Sequence, residues 1–234
     1  LFSQSMTITT RFIHKTLSLL VCQDERRGIQ RDRYWHPAQV VRKGLAGLED
    51  YGFKFDWVES TEQWSAQRMA GYPAVILSKS NNISSANENP WMTESVQQAF
   101  LKYVRRGNGL LAIHSGTAGY QQTAVLRALL GGVFREHPDQ CPVMVEPLAE
   151  HPLSKGSQAF TLVDEHYQMD LDDQQAEVFL QTKSEHSSQP GGWRRYEGDG
   201  RVCVLTPRHN LEVWEHTAYQ RLLLNALRWC SNIS

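Results

Sequence analysis

Four histidines and one acidic stretch carry the chemistry this sequence can offer. His36 falls beyond the first apolar run, His114 closes the run Leu110–Ile113, His209 follows the run Arg201–Thr206, and His216 comes seven residues later. Asp164-Glu165-His166-Tyr167 follows the apolar stretch Phe160–Val163. Neutral imidazoles that converge can hold a divalent metal such as zinc, and a histidine titrating near neutrality can move protons. A carboxylate pair after a strand adds a metal ligand or a general base, and Tyr167 adds a hydroxyl donor. No HExxH or other compact metal motif is present, so metal binding, acid–base chemistry and structural histidines all stay open. Asp164 also reads as the cap of a simple turn.

These residues need a scaffold that brings distant positions together. The stretch Gly107–Tyr120, GNGLLAIHSGTAGY, reads as a strand, a sharp turn and the start of a helix. A short unbroken apolar run between glycines is the mark of a strand buried on both faces, as in parallel sheets covered by helices. Ligands of such sheets bind beyond the carboxyl ends of the strands, where His114 and Ser115 fall.

Before that stretch, strands are expected at Thr16–Cys22, Phe53–Val58 and Ala74–Leu77, with helices over Val40–Leu48, from Ser60 to Gly71 and from Thr93 to Arg106. A helix over Thr123–Leu130 follows it. This alternation predicts right-handed crossovers and a mainly parallel central sheet in a three-layer α/β sandwich. The second half is richer in strands, at Val143–Val145, Phe160–Val163, Glu177–Gln181, Gly192–Tyr196 and Arg201–Thr206. After the last comes a polar loop, then a closing helix from His216 to Cys230 with Tyr219, Leu222, Leu223, Ala226 and Leu227 inward. On parallel strands of one sheet, His36, His114 and His209 would share a rim.

The chain has 234 residues, a length that one α/β domain can fill. Residues 1–10 are expected to be a flexible leader and 11–234 a single domain. Lys plus Arg number 24 against 25 Asp plus Glu, so the net basic charge that marks many nucleic-acid binders is missing. The arginines at 26, 27, 31 and 33 form a local basic loop that could meet an anion or simply be solvated. The apolar segment Leu17–Val21 is too short to span a membrane. Cys22, Cys141, Cys203 and Cys230 have no metal spacing and read as buried thiols of a reducing compartment, which points to the cytoplasm. No nucleotide cofactor is expected, and a homo-oligomer is compatible with the sequence.

Two known mechanisms can be set against the central turn. Ser115 is not the nucleophile of a GxSxG serine hydrolase, because Ala112 stands where the first glycine belongs and the serine comes one position late. The segment Ala112-Ile113-His114-Ser115-Gly116 aligns with the glutamine amidotransferase elbow, Gly-x-Cys-x-Gly, with His114 at the cysteine's position. Imidazole cannot form the thioester that glutamine hydrolysis needs.

Taken in order, His36, the GNGLLAIHSG segment, Gly131-Gly132-Val133-Phe134 with His137-Pro138, His151-Pro152-Leu153, Asp164-Glu165-His166-Tyr167, Gly198-Asp199-Gly200-Arg201-Val202, His209 and Asn225-Ala226-Leu227-Arg228-Trp229 resemble the ThuA-like (trehalose utilisation) proteins. That family has a class I glutamine amidotransferase-like, flavodoxin-like fold. One departure is Arg208, which stands where the family usually has glycine before the histidine and cannot adopt a positive φ cheaply. The resemblance implies a role in carbohydrate catabolism, with a sugar or oxidised (3-keto) glycoside as small-molecule partner and metal-assisted or His/Glu acid–base chemistry of a hydrolase, lyase or isomerase. The alternative is a non-catalytic sugar-binding or regulatory domain on the same scaffold. The candidate catalytic residues are His114, Glu165, His209 and Tyr167, and the candidate metal ligands are His36, His114, His209 and His216. Trp35, Ser115, Tyr120, Trp193 and Arg208 are the candidate substrate contacts, with Trp214 a further aromatic near the same loops.

Overall fold

A computed structural model describes residues 16–24 and 38–233 of the chain. Trp35, His36, the basic loop at 26–33 and the leader lie outside the described residues. The first half runs β1 (Leu17–Gln23), α1 (Ala38–Ala46), β2 (Phe53–Val58), α2 (Ala66–Met69), β3 (Ala74–Ser78), α3 (Glu94–Arg105), β4 (Gly109–Ile113) and α4 (Ala124–Leu130). The second half runs β5 (Gly132–Glu136), β6 (Cys141–Pro147), β7 (Phe160–Asp164), β8 (Gln168–Leu171), β9 (Glu177–Lys183), β10 (Ser188–Glu197), β11 (Gly200–Leu205), α5 (Leu211–Glu215) and α6 (Thr217–Cys230).

Nine strands form one sheet in the order β2-β1-β3-β4-β11-β10-β9-β6-β7, and β5 pairs with β8 separately. From β2 to β11 each pairing is parallel; from β11 to β7 each is antiparallel. All five residues of β4 are buried, and its neighbours β3 and β11 both run parallel to it. Side chains alternate between two cores. Leu19, Val21, Ile76, Leu111 and Ile113 pack with α1 and α6, while Leu20, Cys22, Val75, Leu77, Leu110 and Ala112 pack with α3 and α4. A two-sided burial of this kind is why the β4 sequence is apolar without a break.

Beyond β11 the sheet is strongly curled. Five inter-strand spacings separate β4 from β7, or ~24 Å in a flat sheet. Yet Glu165, the residue after β7, touches His114, the residue after β4. β10 is irregular where it pairs with β9, between Pro190 and Trp193, and bulges bend a strand and increase its twist. Glu165 thus reaches the rim by the return of the antiparallel half, a route different from the shared parallel rim that the sequence suggests.

Two further differences come from weak local signals. The loop expected after His209 contains α5, whose Val213 and Trp214 are buried. β5 and β8 pair only with each other, and both are short: the apolar part of β5 is Val133-Phe134 alone, and β8 alternates over only four residues, too little to mark a strand in sequence. None of the described helices is long and apolar enough to cross a membrane.

Candidate functional site

β4 ends at His114, which opens a short 3-10 turn, His114–Thr117. Its φ is +48°, a left-handed conformation that a residue with a Cβ adopts only when its surroundings impose it. Two contacts do so. Thr117 Oγ1 donates to the His114 carbonyl at 2.7 Å, and Gly116 lies so close to the Leu77 carbonyl that any Cβ there would overlap it. The imidazole is fully buried.

The His114 tautomer follows from its partners. Nδ1 lies 2.7 Å from the Thr206 carbonyl, which can only accept, so Nδ1 carries the proton. In the neutral ring Nε2 then presents its lone pair, and it faces Glu165 Oε2 at 3.2 Å. Burial holds the His114 pKa below its ordinary value, and the charge of Arg208 adds to this against the opposing pull of Glu165. Burial alone would raise the pKa of Glu165, but the neighbouring imidazoles of His114 and His209, which gain from protonation beside a carboxylate, outweigh that and hold the carboxyl well below the usual range. An ionised carboxylate therefore faces an imidazole that resists protonation.

His209 reaches the other carboxylate oxygen, with Nδ1 2.9 Å from Glu165 Oε1. Its backbone is set by Asp164, a buried carboxylate that accepts the N–H groups of Arg208 at 2.7 Å, His209 at 2.8 Å and Asn210 at 3.2 Å. Burial raises the pKa of Asp164, opposed by His114 and by these three N–H groups. One ligand atom each from His114, Glu165 and His209 lies within 4.8 Å of the others. Two imidazoles and a carboxylate at that separation suit zinc or a similar divalent cation. The metal-ligating histidine that donates its second nitrogen to a backbone carbonyl is the usual partner arrangement, and His114 with Thr206 reproduces it. The same groups could move protons without a metal.

The other candidates fall into separate places. Tyr167 stacks on His114 with ring centroids 3.9 Å apart, and burial keeps its phenol well above its ordinary pKa, so it packs the imidazole as a neutral group. Ser115 is fully buried and its Oγ has no hydrogen-bond partner. Tyr120 is buried, its hydroxyl donating to the Lys79 carbonyl at 2.6 Å. Trp193 is in the core, its Nε1 donating to the Leu130 carbonyl. Trp214 is buried under the Arg208 guanidinium, 4.4 Å from its ring. Ser115, Tyr120 and Trp193, expected from sequence as substrate contacts, are thus all buried side chains.

Arg208 has φ +132° and is 1% exposed; its guanidinium donates to Ser78 Oγ, and burial lowers its pKa to about 10, leaving it charged at neutral pH. It braces the rim from inside. His216 caps α6 by accepting from Ala218 N and stacks on Phe160 at 4.0 Å. That placement makes it a capping residue outside the three-donor group.

Sequence reasoning assigned no role to His137. Its Nδ1 donates to the Pro138 carbonyl, its Nε2 is 3.7 Å from Glu165 Oε2, and its side chain is 33% exposed, against 0% for His114 and 11% for His209. The strand that delivers it, β5, has no clear sequence signal; the His137-Pro138 pair was the available clue.

Comparison with known proteins adds the wider setting. The family described as trehalose utilisation, ThuA, matches residues 19–230. A ThuA-like protein from Bacteroides uniformis superposes with a TM-score of 0.70 at 19% identity, over 96% of this chain and 95% of that one. A cytoplasmic protein from Salmonella typhimurium gives 0.66 at 16%, over 91% and 98%. A β-galactosidase from Rahnella sp. R3 gives 0.63 at 15%, over 92% of this chain but 31% of that one. At these identities the likeness is one of fold. No curated protein matched the sequence.

Proposed function

Since the chain belongs to the ThuA, trehalose utilisation, family, we propose that it acts on a sugar or an oxidised (3-keto) glycoside at the site formed by His114, Glu165 and His209. The observation that carries this reading is the bond from His114 Nδ1 to the Thr206 carbonyl, which turns the Nε2 lone pair toward an ionised carboxylate. Two such donors side by side favour a cation between them. A divalent metal bound there would polarise a carbonyl or hydroxyl oxygen of the sugar, an effect worth several kcal/mol in charge stabilisation. His114 and His209 hold the donor set in place. His137, on the exposed side of Glu165, takes the proton from the carbon next to the sugar carbonyl, and Glu165 acts as a ligand with His114 and His209. Tyr167 excludes water from the face of His114. A cytoplasmic setting accords with the buried thiols and with the description of the Salmonella protein.

The second reading is a non-catalytic sugar-binding module. The β-galactosidase likeness favours it, because there the same fold makes up less than a third of a longer chain. Proton exchange separates the two. Methyl 3-ketoglucoside in deuterated buffer should exchange its hydrogens beside the carbonyl with the metal-loaded protein, and His137→Gln should slow this by ~100-fold or more. Binding of the glycoside with no exchange above background would favour the module.

A further inference from the structure

The rim carries a second polar pair that the histidine site does not use. Pairing of Cys22 with Leu77 and of Leu77 with Ala112, extended by two residues, sets Asp24, Lys79 and His114 at one level, each the first residue past the end of β1, β3 and β4. Cys22, Leu77 and Ala112 all belong to the core on the α3 and α4 side, and side chains two apart on a strand share a face. Tyr167, which stacks on His114, belongs to that same core.

Lys79 is 2% exposed, and among the described residues its ammonium has one ionic partner, Asp24 Oδ1 at 3.6 Å. That distance exceeds a hydrogen bond, and an ammonium has three donors to satisfy. Asp24 Oδ1 also accepts from Ser80 N and Oγ, but its Oδ2 is buried without a partner. The segment is braced: Tyr120 Oη donates to the Lys79 carbonyl, Trp91 Nε1 to the Ser80 carbonyl, and Arg208 to Ser78 Oγ. A fixed backbone therefore presents an ammonium donor and a carboxyl acceptor, each with unused capacity, one and two strands from His114.

We propose that Asp24 and Lys79 form a hydroxyl-binding subsite for a polyhydroxy ligand, holding adjacent ring oxygens while the group to be transformed lies at His114. Lys79 donates to one oxygen and Asp24 accepts from the neighbouring hydroxyl. This rests on the sugar reading given above, and it names the residues that would select a hydroxyl next to a second oxygen on the neighbouring ring carbon.

The test measures calorimetric affinity for methyl 3-ketoglucoside and its 4-deoxy and 2-deoxy analogues. Wild type is compared with Lys79→Met and with the double variant Asp24→Asn, Lys79→Met, which leaves no unpaired buried charge should the single variant misfold. A subsite predicts at least a tenfold loss of affinity in the variants. Wild type should also discriminate against a deoxy analogue that the double variant binds as well as the parent. Affinity within twofold of wild type in a folded variant overturns the subsite and leaves the sugar reading standing. Failure of wild type to bind any of the three overturns both.

Discussion

Asp164 accepts the backbone N–H of His209 at 2.8 Å while the adjacent Glu165 meets the ring of that histidine at 2.9 Å. Two consecutive residues at the end of β7 thus fix both the main chain and the side chain of His209. Through them the curled antiparallel half of the sheet is fastened to the rim of the parallel half.

Removing that fastening should be costly. Asp164→Ala strips a buried acceptor from three N–H groups, each bond to a charged group contributing ~1.5–3 kcal/mol. Allowing for partial rehydration, urea unfolding should show a loss of about 3 kcal/mol or more. A loss under about 1 kcal/mol would mean that the 208–210 segment is held by other contacts.

The pH dependence of the metal-free protein has a definite sign. His114 has a folded pKa below its unfolded value of about 6.5, so its contribution is present above that pH and is lost as the pH falls toward the folded value. Glu165 is also depressed, and its contribution is lost as the pH falls below about 4.3. Asp24 and Asp164 are raised by burial and act in the opposite sense, losing their contribution as the pH rises through their folded values. Unfolding free energy should therefore decline from pH 6.5 downward, and His114→Asn, which tolerates the left-handed backbone, should flatten that first decline. An unchanged slope in the variant would show that another group titrates there.

At Arg208 glycine should outperform alanine. Both substitutions discard the contacts with Ser78 and Trp214, but at φ +132° only glycine is unstrained. Chemical unfolding should find Arg208→Gly more stable than Arg208→Ala by about 1 kcal/mol, the reverse of the usual order.

Ser115 should be dispensable for substrate binding. Its Oγ is buried without a partner, so Ser115→Ala should be neutral or stabilising by up to about 1 kcal/mol, with affinity for the glycoside unchanged. A large loss of affinity would show that the turn opens to the ligand.

Sequence made the parallel half legible because burial on both faces writes long apolar runs. The strand expected at Phe53–Val58 has those bounds in the structure, and Leu110–Ile113 is four-fifths of β4. His114 and His209 were nameable because each follows such a run, and Glu165 because it follows the shorter stretch Phe160–Val163 of the antiparallel half. The curl of the sheet was not legible, since it arises from the β10 irregularity and non-local pairing, which leave little trace in local pattern. His137 was missed with its strand. Ser115, Tyr120 and Trp193 are buried, a feature the sequence did not show, because position near a strand end does not tell whether a side chain turns toward the cleft or the core.

The most direct test of the account is the metal stoichiometry of the histidine–carboxylate group. Protein stripped with chelator, reloaded with zinc or manganese and gel-filtered should retain about one ion per chain by elemental analysis. Three ligands act jointly, and loss of a group supporting a metal site lowers affinity by ~10–100-fold, so His114→Ala, Glu165→Gln and His209→Ala should each lose the ion while remaining folded. Wild type that retains no ion, or three variants that retain it as well as wild type, would contradict the metal site.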